Sequence, residues 1–186
     1  MLGFFKKSLT KSLPLKTNIK HTCCRVPKQR NLADMTNNDI LRRLRYAFDF
    51  RDSKMVELFA LADTEVSNED IINWMRAEDD PEYVSMHDKK LALFLNGFIN
   101  DRRGKKEGVT PKPEKTLTNN LIFKKLKIAL ALRDTDIMDI MELADFRISK
   151  HEISAFFRKP TQSQYRLCKD QFLRNFIYGL QLRYRK

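Results

Sequence analysis

Few side chains of this 186-residue chain stand at spacings that support chemistry. Cys23 and Cys24 are adjacent, His21 lies two residues before Cys23, and Cys168 stands far downstream. Three thiols with no paired spacing make no disulfide framework and fit a reducing compartment. His21, Cys23 and Cys24 could together touch a metal, but a tetrahedral site needs a fourth ligand and none has an obvious source. His87 and His151 complete no metalloprotease or nucleophile spacing. The acidic run Glu78-Asp79-Asp80 reads as a solvated loop, and the scattered glycines form no phosphate-cradling loop. No acid–base pair or nucleophile recurs at a site a substrate could use. The expectation is a non-enzymatic protein with no metal and no cofactor.

What remains is positive charge. The chain has 36 Lys and Arg against 24 Asp and Glu, a net +12 that points to phosphate-rich or anionic partners. Lys124, Lys125 and Lys127 fall opposite an apolar helix face, as do Arg42, Arg43 and Arg45 upstream. Arg102 and Arg103, then Arg183 and Arg185, end two further helices, where cations also complement the helix dipole. Lys150, His151, Arg158 and Lys159 surround a short helix that follows a turn of about four residues. Tyr184, between two arginines, is placed to stack on a base. Lys124, Lys125, Lys127, Lys150, His151, Arg158, Lys159, Arg183 and Arg185 are therefore the candidates for binding DNA or RNA, mainly through backbone phosphates. The alternative is a protein-interaction scaffold or homodimer without nucleic acid. No run approaches 18 consecutive apolar residues, so no helical membrane span is expected.

A duplicated scaffold positions these residues. At an offset of 82, residues 35–104 overlay residues 117–186 without a gap, with 20 identities in 70 pairs. Thr36-Asn37-Asn38 recurs as Thr118-Asn119-Asn120, Leu61-Ala62-Asp63 as Leu143-Ala144-Asp145, and Gly97 and Arg103 as Gly179 and Arg185. Each copy reads as four short helices, and no strand pattern appears, so the fold class is all-α: two homologous four-helix units in tandem. Thr36 and Thr118 are N-cap types, and Ser67 and Ser149, each followed three residues later by an acid, open a third helix with a capping box. Ile40, Leu44, Ala47 and Phe48 share one helical face, as do Leu91, Phe94, Leu95 and Phe98. Gly97 and Gly179 fall inside the last helix of each copy, where a neighbouring helix comes too close for a side chain. The second and third helices resemble a helix–turn–helix. In copy one the supposed reading helix offers Asn68, Glu69, Asp70 and Asn73, a poor face for a polyanion, and copy two offers Lys150, His151, Arg158 and Lys159, a better one; an ordinary αα-hairpin, common in helical proteins, is the preferred reading.

Three stretches carry a resemblance to a known family. They are Met35-Thr36-Asn37-Asn38-Asp39-Ile40 with the rest of the first helix, Phe94-Leu95-Asn96-Gly97-Phe98-Ile99-Asn100-Asp101-Arg102-Arg103 on to Gly108, and Ala144-Asp145-Phe146-Arg147-Ile148-Ser149 on to Pro160. Over residues 35–186 the chain resembles the YehS-like family of bacterial proteins, built from two copies of one small domain. The resemblance implies the tandem helical fold and a bacterial cytoplasmic setting, and it supplies no established activity.

Residues 1–34 stand outside the repeat and carry a net +7. They are acid-poor and bear Ser and Thr, as transit peptides do, yet they favour Lys over Arg and contain Pro14 and Pro27. The preferred reading is a disordered extension upstream of a functional start at Met35. Residues 105–116, with Pro111 and Pro113, read as a linker. By segment, copy one carries −4, the linker +2 and copy two +7, so the duplication is charge-polarised.

Overall fold

A computed structural model describes residues 35–105 and 112–185. Among these residues lie eight α-helices: α1 (Asn37–Phe48), α2 (Asp52–Ala60), α3 (Asn68–Met75) and α4 (Asp88–Arg103) in copy one, then α5 (Asn119–Ala129), α6 (Asp134–Leu143), α7 (Lys150–Phe156) and α8 (Asp170–Tyr184) in copy two. The sequence readings on residues 1–34, including His21, Cys23 and Cys24, lie outside the described residues.

The caps form as their residue types dictate. Thr36 Oγ1 accepts from the Asp39 amide while Asp39 returns a bond to the Thr36 amide, and Ser67 with Asp70 and Ser149 with Glu152 repeat the reciprocal pair. The first two helices of each copy close with a left-handed residue: Asp49, Asp63, Ala131 and Asp145, all with φ between 51 and 55°. In each case the next amide reaches back five residues, as Thr64 does to Phe59 O at 3.2 Å and Phe146 to Met141 O at 2.9 Å. These closures lengthen the connection between second and third helices to residues 61–67 and 144–149. Seven and six residues separate the helices, not the four expected of a helix–turn–helix.

The repeated Thr-Asn-Asn is a structural device. Asn38, 1 % exposed, donates from Nδ2 to Trp74 O (3.0 Å) and Val84 O (2.9 Å), and accepts from the Met86 amide (2.8 Å). Asn120 makes the matching bonds to Phe156 O, Arg166 O and the Cys168 amide, each 2.9 Å. One side chain per copy thus pins the irregular segment before the last helix. Its neighbour ties the copies together. Asn37 Nδ2 donates to Asp88 Oδ1 (2.7 Å), and Asp88 Oδ2 accepts from the Leu117 amide of the other copy (2.8 Å). Asn119 and Asp170 do the same for the Met35 amide (3.1 Å).

Those links reflect reciprocal packing. The main neighbour of α1 is α8, and the main neighbour of α5 is α4; within a copy the last helix lies chiefly on the second. The first helix of each copy is therefore completed by the last helix of the other, and exchanging the copies maps α1/α8 onto α5/α4. In each pair the helices run side by side in one direction: α5 meets α4 at Leu117–Asp88 and again at Lys125–Asn96. Where α4 crosses α2, a Cβ on Gly97 would stand 1.6 Å from Leu58 O, and on Gly179 it would stand 2.1 Å from Ile140 O. Only glycine permits these crossings. The core of both copies is continuous, from Leu41, Leu44 and Phe59 through Phe94 and Phe98 to Phe123, Phe176 and Leu180.

Candidate functional site

The candidate cations separate on the structure according to which helix faces the other copy buries. Lys125 is a correction. It is not on an exposed basic face but 8 % exposed, its ammonium donating to Asn96 Oδ1 of α4 (2.5 Å) and lying 3.0 Å from Glu114 Oε1. A single-copy helical wheel places it opposite the core; the reciprocal packing buries that second face against α4. Arg43, its equivalent in copy one, is half-buried, and burial, then the nearby Arg174, lowers its affinity for its proton.

Lys124 and Lys127 remain in play and join a residue from the other copy. A concavity of about 460 Å3 at the α4/α5 junction is lined by Arg103, Lys124, Lys127, Ile128, Leu132 and Phe157. Exchanging the copies turns these residues into Arg185, Arg42, Arg45, Tyr46, Phe50 and Met75, and all six line a second concavity of the same volume at the α8/α1 junction. The duplication therefore builds one composite site twice, with two cations from a first helix and one from the end of the partner copy's last helix.

The two versions differ in how their charges are engaged. In the α8/α1 concavity Arg42 holds Asp39 (2.8 Å) and Arg76 O (2.5 Å), and Arg45 holds Asp52 (2.7 Å) and Phe50 O (3.2 Å). Arg185 donates to Tyr46 O (2.8 Å) and lies 3.4 Å above the Tyr46 ring. In the α4/α5 concavity Lys127 pairs with Asp134 (2.6 Å) and sits 4.5 Å over the Phe157 ring. Lys124 and Arg103 are exposed and make no ion pair or hydrogen bond with a described residue.

The other candidates scatter. Lys159 is exposed two residues beyond Phe157, and Arg158 donates to Ser163 O (3.1 Å) and Gln164 Oε1 (2.7 Å). Lys150 and His151 are exposed on the first turn of α7, about 10 Å of helical rise from Phe157. Arg183 lies 3.9 Å from Asp136, and Arg185 belongs to the copy-one concavity. Tyr184 packs its ring on Phe48 at 5.2 Å and remains 39 % exposed. Arg103 was readable only as a helix-end cation, although its recurrence as Arg185 was the available signal. Nothing in the sequence singled out Asn96 or Glu114.

Acidic groups near the helix starts are tuned for capping. Backbone and side-chain bonds from Ser67 and Ser149 hold Asp70 and Glu152 below the usual carboxylate range. Burial pushes the Cys168 thiol up to about 12, with a smaller contribution from Asp170. That thiol is buried, and occupies the core position of Met86 in copy one.

The fold and site thus define a tandem-repeat, all-helical protein whose copies are joined by reciprocal helix exchange around two basic concavities. The family model described as protein of unknown function DUF1456 matches twice, over residues 37–104 and 119–186, and the chain belongs to this family. It is similar to the uncharacterized protein YehS of Escherichia coli (strain K12), 41 % identical over 150 residues, which covers 80 % of this chain and 96 % of that protein. No solved structure matches. No helix among the described residues is long and apolar enough to cross a membrane.

Proposed function

We propose that this protein is a non-enzymatic, cytoplasmic nucleic-acid-binding module that holds backbone phosphates at the α4/α5 junction, on the side of the basic second copy. The observation that carries this reading is the contrast between the two concavities. Matching architecture leaves the copy-one cations engaged with their own protein, whereas Arg103 and Lys124 stay exposed beside Lys127, with no ion pair or hydrogen bond among the described residues. Three cations grouped at one concavity form an electrostatic footprint for phosphate. Fluorescence anisotropy of a labelled oligonucleotide at increasing salt tests it: with about 0.9 counterions released per duplex contact, log affinity falls with log salt at a slope of about −2.7. Replacing Arg103 and Lys124 by Glu abolishes binding, while the same change at Arg42 and Arg45 costs much less. Salt-insensitive binding, or none at low salt, refutes the reading.

A protein partner or homodimer is the second reading. It is favoured by exposed apolar side chains on copy two, Leu143 (50 %) and Leu167 (63 %). Sizing of nuclease-treated material separates the two: a partner or dimer that survives nuclease belongs to this reading, and one that disappears was bridged by nucleic acid.

A further inference from the structure

Next to the phosphate-binding cations lies a second cavity with a different chemistry. It has a volume of about 570 Å3, within the about 300–1,000 Å3 typical of small-ligand sites. It shares Arg103, Lys124 and Ile128 with the basic concavity, and Ile99, Leu121 and Ile128 supply aliphatic walls. Its lining also includes the buried Asn96 and Lys125, together with Glu114.

The Lys125 ammonium binds one oxygen of each of its two partners, Asn96 Oδ1 at 2.5 Å and Glu114 Oε1 at 3.0 Å. The other polar atom of each partner is left over. Asn96 Nδ2, on a residue 5 % exposed, and Glu114 Oε2 are both buried and have no hydrogen-bond partner among the described residues. Buried polar atoms are normally matched, and an unmatched one carries its full desolvation cost. Here one donor and one acceptor, on the two residues whose other oxygens clasp the same ammonium, are left unmatched, and both residues line a single cavity.

The fold does not require this arrangement. Exchanging the copies puts Tyr178 at the position of Asn96 and Arg43 at that of Lys125, and the α8/α1 helix pair packs without the trio. The polar set is special to one junction, the same junction at which Arg103 and Lys124 have no partner among the described residues.

We infer that this cavity takes the base of a nucleotide, whose hydrogen-bonding edge meets Asn96 Nδ2 and Glu114 Oε2 while Arg103 and Lys124 hold its phosphate. A base edge presents a donor and an acceptor side by side, its flat ring suits aliphatic walls, and its phosphate suits the flanking guanidinium and ammonium groups. The inference rests on the phosphate reading of the same junction and adds what that reading lacks, a reason for the protein to distinguish a nucleotide from any other polyanion.

Calorimetric titration of the full chain with the four common ribonucleoside 5′-monophosphates and with ribose 5-phosphate tests it. At least one nucleotide binds about tenfold tighter than ribose 5-phosphate, the gain expected from hydrogen bonds that involve a charged partner. Glu114→Gln and Asn96→Asp keep the shape of the site and a partner for Lys125. Each brings the nucleotide to within about twofold of ribose 5-phosphate without weakening the latter. Arg103→Ala weakens both ligands in parallel. Should either variant fail to fold, as judged by circular dichroism, the wild-type comparison still decides. Equal affinities for nucleotides and ribose 5-phosphate overturn the inference, and leave the phosphate reading standing if salt-dependent oligonucleotide binding persists. Absence of binding by every probe at low salt overturns both.

Discussion

Asn38→Ala removes the most heavily used polar side chain of copy one. The alanine deletes bonds to Trp74 O, Val84 O and from the Met86 amide, at 3.0, 2.9 and 2.8 Å. Val84 is 46 % exposed, so water can replace the bond to its carbonyl; Trp74 and Met86 are 5 and 3 % exposed, and their groups stay orphaned. Two buried bonds at about 1 kcal/mol each, plus about 1–3 kcal/mol for the stranded amide, give a loss of about 3–5 kcal/mol. That is a large fraction of the about 5–15 kcal/mol that holds a domain of this size. At about 2–4 °C per kcal/mol, the melting point falls by about 6–20 °C. Urea unfolding followed by far-UV circular dichroism and by the fluorescence of Trp74, the single tryptophan, measures both the global loss and any local release of the 76–87 segment. Asn120→Ala behaves alike, because its three bonds are geometric copies. A loss below about 1 kcal/mol in both variants would show that these asparagines are not what anchors the segment, and the account of the Thr-Asn-Asn repeat would fall.

Two further outcomes are expected. Gly97→Ala forces a methyl to within 1.6 Å of a backbone oxygen on α2, so the helices must separate; the cost is about 3 kcal/mol or more, read as a lower urea midpoint, and Ser in place of Ala does no better. In a Cys23→Ser, Cys24→Ser background, Cys168 resists iodoacetamide in the native state and is modified only on unfolding. Its folded pKa of about 12 stands above the ordinary value of 9.0, so its contribution to stability is complete below pH 9.0 and is lost as pH rises toward 12, which a Cys168→Ala variant does not show.

Much of the fold was legible because its determinants are local. Caps at Thr36, Ser67 and Ser149 and the periodic faces of α1 and α4 depend on neighbours three or four residues away, and the structure places them as the spacing predicts. Gly97 and Gly179 were readable for the same reason, as residues out of keeping with a helix interior. The site was legible only in part. A helical wheel assumes one buried face per helix, but α1 and α5 each bury a second one against the other copy, which hides Leu41, Phe123 and Lys125. Whether a cation is free or engaged depends on partners far along the chain, as Arg185 does on Tyr46. The connection between α2 and α3 was misjudged because left-handed Asp63 extends the closure of α2.

The pairing of α1 with α8 has a consequence for how the chain is made. Among the described helices synthesis delivers α1 first and α8 last, so α1 lacks its main neighbour until Asp170–Tyr184 has been added. Neither copy can mature alone and wait for its twin, and contacts spanning nearly the whole repeat array must close late, which slows folding and prolongs the exposure of apolar surface. A chain that lacks residues 170–184 therefore leaves the face of α1 that packs on α8 uncovered.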